Sequence, residues 1–341
     1  MAMFSFWNRD LTVRSCFDWQ ILIGLGGDDR LISTHNNTSL FGNGGDDTLS
    51  TNMIFGYNYT RDLRTWQFGG DGDDKMRVDT GAASSYAGVF MDGGDGNDFI
   101  EVYGYLRDST GCRTTKSEQI ATGGAGNDTI WLYSTIENSD GHITNKAFGG
   151  SGNDTIILSA DTLRSNVGST GLNYAEGGTG DDNLTARGYG STQDSLVNVL
   201  YGESGNDTLT AYIHNKMGAS HLFGGDGNDT LSTFGGDGNK LYGGAGNDKL
   251  IGGEGDDILF GGTGNDTMST GEGIDLVVFG CNSGQDVLTQ FCLYRDTITF
   301  EDGQGFKSLS VGATGTTLTF NDGSSVLVMD AFTTDLTAYF A

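Results

Sequence analysis

Asp29, Asp47, Asp74, Asp98, Asp128, Asp154, Asp182, Asp207, Asp229, Asp248 and Asp266 each stand sixth in a nine-residue unit, G-G-x-G-x-D-x-U-x, where U is apolar. Clear copies include "GGDGDDKMR" from Gly69, "GGDGNDFIE" from Gly93, "GGSGNDTII" from Gly149 and "GGTGNDTMS" from Gly261. Three others, "GLGGDDRLI" from Gly24, "GNGGDDTLS" from Gly42 and "GESGNDTLT" from Gly202, lack one glycine. Glycines let a short turn visit positive φ and bring carbonyls close together, and the aspartate adds an anionic oxygen. An oxygen-only donor set suits Ca²⁺ rather than zinc or copper. One such segment alone would read as a solvated turn; about a dozen in register read as a calcium-binding array.

The elements that hold these turns follow from the residues around them. The U residue opens a short alternating run, as in "DTIWLYSTI" with Ile130, Leu132 and Ile136, which is strand periodicity. A single unit cannot bury its one apolar residue, so units must stack into coils with an inward apolar ladder. The aspartates are 18, 27, 24, 30, 26, 28, 25, 22, 19 and 18 residues apart. With eighteen as the floor, this predicts one calcium turn per coil on one edge and inserted segments of variable length on the other. In the last coils the opposite edge becomes a second column: Leu241, Leu250, Leu259, Met268 and Val277 fall nine apart, with Asp257 and Asp275 in the aspartate position. Asn239 takes that position at the start of the column and is expected to contribute little to binding. The predicted divisions are an N-terminal cap over 1–23, a one-column roll over 24–233, a two-column roll over 234–279 and a C-terminal cap over 280–341.

Composition excludes several functions. Asp and Glu outnumber Lys and Arg 45 to 18, a formal charge of −27, which opposes a nucleic-acid partner. With 58 glycines and no proline the chain is not collagen-like. No apolar run approaches the roughly 18 residues of a membrane span, and Arg9, Asp10 and Arg14 interrupt any N-terminal signal-peptide core. Cys16, Cys112, Cys281 and Cys292 form no framework and no CxxC pair; free thiols or one bridge both remain open. Neither HExxH nor GxSxG occurs, and His35, His142, His214 and His221 are scattered.

Over roughly residues 24 to 300 the repeats resemble those of the RTX family of secreted proteins. The resemblance implies an all-β fold: a right-handed parallel β-roll with Ca²⁺ between stacked turns. The tail "FGCNSGQDVLTQFCLYRDTITFEDGQGFKSLSVGATGTTLTFNDGSSVLVMDAF" resembles the family's cap, in which degenerate repeats carrying Asp286 and Asp296 lead into antiparallel strands. Family members of this kind leave the cell by type I secretion through an uncleaved C-terminal signal, which would place the chain outside the cell or at its surface. The candidate calcium ligands are the eleven aspartates above with Asp257, Asp275 and Asp286, for about ten or more ions.

The expected function is a non-enzymatic, calcium-loaded structural or surface protein. The inserted segments "FGYNYTRDLRTW", "YGYLRDSTGCRTTK" and "RGYGSTQDSLVN" would supply the edge for self-association or for a surface or matrix partner. The alternative is a secretion and folding module of a larger enzyme or toxin, preceded by further coding sequence. Ice binding is disfavoured, because the third repeat position carries no threonine ladder.

Overall fold

The computed structural model describes residues 2–4, 12–14, 19–52, 63–81, 86–107, 115–137, 140–163, 168–215, 217–301 and 305–331. Every regular element among them is a strand, and the chain divides into two compact units, Met1–Val197 and Asn198–Ala341. No helix among the described residues is long and apolar enough to cross a membrane.

In the first unit the chain alternates between two parallel sheets. Each glycine turn carries it from one sheet to the other, and each sheet gains one strand per coil. The stacking starts before the first glycine turn, since Ala2–Phe4 pairs with Ile21–Ile23 and Thr12–Arg14 with Arg30–Ser33. The U residues Leu31, Leu49, Met76, Ile100, Ile130, Ile156 and Leu184 are cross-strand partners in one continuous buried ladder. Because parallel pairing keeps the same residue type at the same level, each apolar side chain finds its cover in the coil above and below.

The inserted residues differ from the expectation of loops on a variable edge. In the middle coils they largely lengthen the strands, which reach nine to eleven residues in Phe99–Arg107, Thr115–Ala125, Thr129–Glu137 and Gly141–Ser151. Leu63 and Leu106 are fully buried, and Leu106 pairs with Ile136. Their segments alternate inward and outward, so extra length widens the coil instead of looping out. Of the basic residues in the inserted stretches, Arg64, Arg107, Lys116, Lys146 and Arg187 lie in strands. Arg61, Arg113, Arg164 and Lys216 lie outside the described residues, as do Cys16 and Cys112.

A wider coil has more interior to fill, and part of that filling is polar. Gln67, Gln119, Asn145 and Asn173 are buried, and their amides reach across to the other sheet. Gln67 Nε2 donates to Arg77 O (3.1 Å), Gln119 Nε2 to Tyr133 O (3.1 Å), Asn145 Nδ2 to Ser159 O (2.8 Å) and Asn173 Nδ2 to Arg187 O (2.9 Å). These bonds tie the two sheets together where apolar packing alone would leave the separation unset.

In the second unit the coils narrow. Strands such as Lys249–Ile251 and Thr267–Ser269 have only three residues. Two ladders, Leu209–Leu231–Leu250–Met268–Leu288 and Leu222–Leu241–Leu259–Val277–Ile298, face each other as the core. The unit ends as the resemblance of the tail implies: Phe306–Val311, Gly315–Phe320 and Ser325–Met329 are antiparallel, and the last of these joins the roll beside Gln285–Thr289.

Candidate metal column

Each sixth-position aspartate turns inward beneath its own glycines, and its two oxygens have different surroundings. Oδ1 accepts the backbone N–H of the aspartate one coil earlier. In the first unit this runs Asp29→Asp47→Asp74→Asp98→Asp128→Asp154→Asp182, at 2.7–2.8 Å. In the second it runs Asp207→Asp229→Asp248→Asp266→Asp286, at 2.8–2.9 Å. A second column in that unit runs Asn239→Asp257→Asp275→Asp296, at 2.9–3.2 Å.

Oδ2 is the other half of the arrangement. In Asp47, Asp74, Asp98, Asp128, Asp154, Asp229, Asp248, Asp257, Asp266, Asp275 and Asp286 it is buried and meets no hydrogen-bond donor. Eleven buried anionic oxygens without a donor would be costly unless something positive faced them. Asp182 and Asp207 hold the same register. At Asp29, the first in its ladder, Oδ2 accepts the Leu25 N–H at 3.2 Å.

The space beside these oxygens has the shape of a cation cradle. A Cβ placed on Gly69 would overlap Asp74 Oδ2 and the carbonyl of Gly93 in the next coil; one on Gly42 would overlap Asp47 Oδ2 and the Gly69 carbonyl. Gly70 and Gly72 have φ of 122° and 128°, and a Cβ on either would strike a carbonyl of the preceding coil. Carbonyls and one carboxylate thus face each gap from both sides. An oxygen-only set of this kind suits Ca²⁺ rather than a transition metal; no group of three His, Cys, Asp or Glu side chains placed to hold a metal occurs among the described residues. Of the residues that replace glycine at the second position, Asn43 (φ 81°) and Glu203 (φ 77°) adopt the same left-handed backbone, a conformation costing such residues about 1 kcal/mol or more, whereas Leu25 in the first copy does not.

Burial raises the carboxyl pKa values, and neighbouring carboxylates add to the effect at most positions. Asp47, Asp98, Asp266 and Asp275 are pushed up to about 6, Asp74, Asp128, Asp248 and Asp286 to about 7, and Asp257 to about 8. A divalent cation in the gap would reverse this, stabilising the charged form.

Three residues in aspartate-like positions are satisfied by protein instead. Asn239 Nδ2 donates to Gly235 O (3.2 Å) and Asp257 Oδ1 (2.8 Å), so a hydrogen-bonding amide stands where the columns elsewhere present an oxygen. Asp296 Oδ2 accepts the Cys292 N–H (2.6 Å), and Asp194 Oδ2 accepts from Ser191 N–H (2.7 Å) and the Thr162 hydroxyl (2.8 Å).

Sequence reasoning missed a second, exposed ladder at position five. There the N–H of each coil donates to the side-chain Oδ1 of the coil before, through Asp28, Asp46, Asp73, Asn97, Asn127, Asn153 and Asp181 in the first unit. Asn206, Asn228, Asn247 and Asn265 continue the pattern in the second. The signal was present in the sequence: position five of these copies is always Asn or Asp.

The family model of the RTX calcium-binding nonapeptide repeat matches residues 90–102, 119–134, 144–162, 194–215, 218–239, 233–268 and 242–277. The turns at Asp29, Asp47 and Asp74 precede the matched residues and Asp286 follows them, yet all share the ladder geometry. No curated protein matches the chain.

Proposed function

We propose that this chain, an RTX repeat protein, is a non-catalytic structural or surface protein that folds on calcium outside the cell. Repeats of this kind are typical of proteins exported by type I systems. In each gap Ca²⁺ would supply two positive charges and bonds to six to eight oxygens. The residues that would hold it are Asp47, Asp74, Asp98, Asp128, Asp154, Asp182, Asp207, Asp229, Asp248, Asp266 and Asp286, with Asp257 and Asp275 in the second column and Asp29 at the start of the first. The row of buried, donorless Oδ2 atoms carries the reading. A carboxylate engaged by a cation is a poor general base, so the abundant acids support a structural role.

The outward sheet faces of the first unit support self-association or attachment. Tyr103 stacks on Tyr133 with centroids 5.4 Å apart, Arg77 lies 4.9 Å over the Tyr103 ring, and Phe99 meets Trp131 edge-on at 5.1 Å. Tyrosine, tryptophan and arginine are favoured interface residues. Electron microscopy of purified protein in Ca²⁺ and in chelator tests this reading, with retention on the producing cell as the companion measurement. Ordered assemblies or retention that require Ca²⁺ and weaken in Tyr103→Ala/Tyr133→Ala are expected. A calcium-loaded monomer that neither assembles nor stays on the cell would end the structural reading.

A further inference from the structure

On the outer face of the first unit, far in character from the acidic turns, three neighbouring strands form a small grid centred on a glycine. Leu63–Asp71, Tyr86–Asp95 and Thr115–Ala125 are adjacent in one sheet, and their register puts Arg64, Gly88 and Glu118 side by side. One level along lie Trp66, Phe90 and Ile120. Beside Gly88, which carries no side chain, a hollow of about 270 Å³ opens between these strands, lined also by Tyr86.

Tyr86 forms the floor. Its ring leans over Gly88, so that a Cβ at that position would come within 2.7 Å of the phenolic oxygen. That oxygen donates to Glu118 Oε2 at 3.1 Å, and Lys116 Nζ bonds the same carboxylate at 3.1 Å. Arg64 lies 5.3 Å over the Tyr86 ring and Lys116 5.9 Å from it. An aromatic ring covering a sheet glycine is a known stabilising device, and it accounts for Tyr86. Arg64 packs over the face of that ring but meets no anionic group there. Among the described residues its guanidinium makes no salt bridge, while Glu118 is already matched by Lys116. The hollow is therefore a patch of net positive charge on a chain of formal charge −27. Its walls are aromatic and aliphatic, and Arg64 and Glu118 sit two strand spacings apart, roughly 9.5 Å.

We propose that this hollow binds an organic carboxylate carried on a body the size of one six-membered ring with at least one apolar face. The ring would lie against Trp66 and Phe90, and the carboxylate would pair with Arg64, whose planar fork matches a carboxylate in two bonds. The hydroxyl of Tyr86 and the Glu118 carboxylate border the opposite side, where hydroxyl or amide groups of the ligand would be met. A sugar acid, a peptide C-terminus and a free aromatic acid share this chemistry. The inference goes beyond the structural role and does not rest on it.

The test titrates the full-length protein in millimolar Ca²⁺ with benzoate, glucuronate and N-acetylphenylalanine. Each is paired with its uncharged partner, benzamide, methyl glucoside or N-acetylphenylalaninamide, and binding is followed by saturation-transfer NMR. At least one carboxylate should bind at least tenfold more tightly than its partner, and which one identifies the source. Arg64→Gln should remove that preference. Gly88→Val, which drives Tyr86 into the hollow, should abolish binding. Circular dichroism on the same samples separates loss of the hollow from loss of the calcium-dependent fold. Absence of binding by all three carboxylates, equal binding of the uncharged partners, or unchanged binding by both folded variants would overturn the proposal.

Discussion

A single atom separates the candidate calcium positions from Asn239: the columns present Oδ2 of aspartate, whereas Asn239 presents Nδ2. Asp154→Asn keeps the Oδ1 acceptor for Asp128 N–H and replaces the donorless oxygen with a donor. It should therefore raise the midpoint of calcium-induced folding, by roughly tenfold in affinity for the adjacent gap, about 1.4 kcal/mol. Asn239→Asp should do the reverse and add one bound ion, counted by equilibrium dialysis; an unchanged ion count would show that the gap is closed for another reason. The raised carboxyl pKa values carry a pH prediction. In chelator the folded roll would hold protons at Asp74, Asp128, Asp248, Asp257 and Asp286 that an unfolded chain, with carboxyls near 3.8, has released. That contribution is complete below about pH 4 and is lost as pH rises through about 7 to 8. The chelated chain should thus gain β signal by circular dichroism as pH falls from 8 towards 5, and calcium should bind more tightly as pH rises over the same range. A β signal in chelator that grows with pH would contradict the assignment. The aspartates were legible in the sequence because glycines at fixed offsets announce the turn. The position-five ladder went unread because exposed Asn and Asp look like generic turn residues until their Oδ1 atoms are seen accepting N–H bonds between coils.

Strands carried the main surprise. The U residues and their period of two were legible, since Ile130, Leu132 and Ile136 alternate as an inward face should. The extra residues of the middle coils were read against an eighteen-residue floor and so looked like insertions. Their own alternation, Val102, Gly104 and Leu106 inward against Tyr103, Tyr105 and Arg107 outward, shows that they continue the strand. The inner row of Gln67, Gln119, Asn145 and Asn173 was illegible for another reason: polar residues at inward positions break the apolar pattern, and only the opposite sheet supplies their partners. It follows that removing Tyr105–Thr115 would cut a core strand, not trim a loop. Leu106→Ala, at a fully buried position, should cost about 2–5 kcal/mol. Arg107→Ala, whose exposed guanidinium lies 3.8 Å from Glu137, should cost under about 1 kcal/mol. Asn145→Ala leaves Ser159 O and Asn173 Oδ1 without their donor and should cost about 1–3 kcal/mol. Calcium-saturated chemical denaturation of the three variants checks the order; equal losses at Leu106 and Arg107 would return the segment to a loop.

For the molecule, charge and architecture lead to the same dependence. A formal charge of −27 is concentrated in stacked turns, and one divalent cation for each of the eleven donorless Oδ2 atoms would bring it to about −5. In a roll each coil contacts only its neighbours, so a coil that cannot settle its aspartate also withdraws cover from the apolar residues beside it. Metal binding and folding are then one equilibrium, in the roughly 10⁻⁴ to 10⁻³ M range of extracellular calcium modules. Circular dichroism of the full chain at pH 7.5, first in chelator and then through a calcium titration to 10 mM (about ten times the upper end of that range), tests this most directly. The account predicts a largely disordered spectrum that converts to β structure as calcium is added and reverts when chelator is restored. A full β spectrum in chelator, unchanged by calcium, would contradict it.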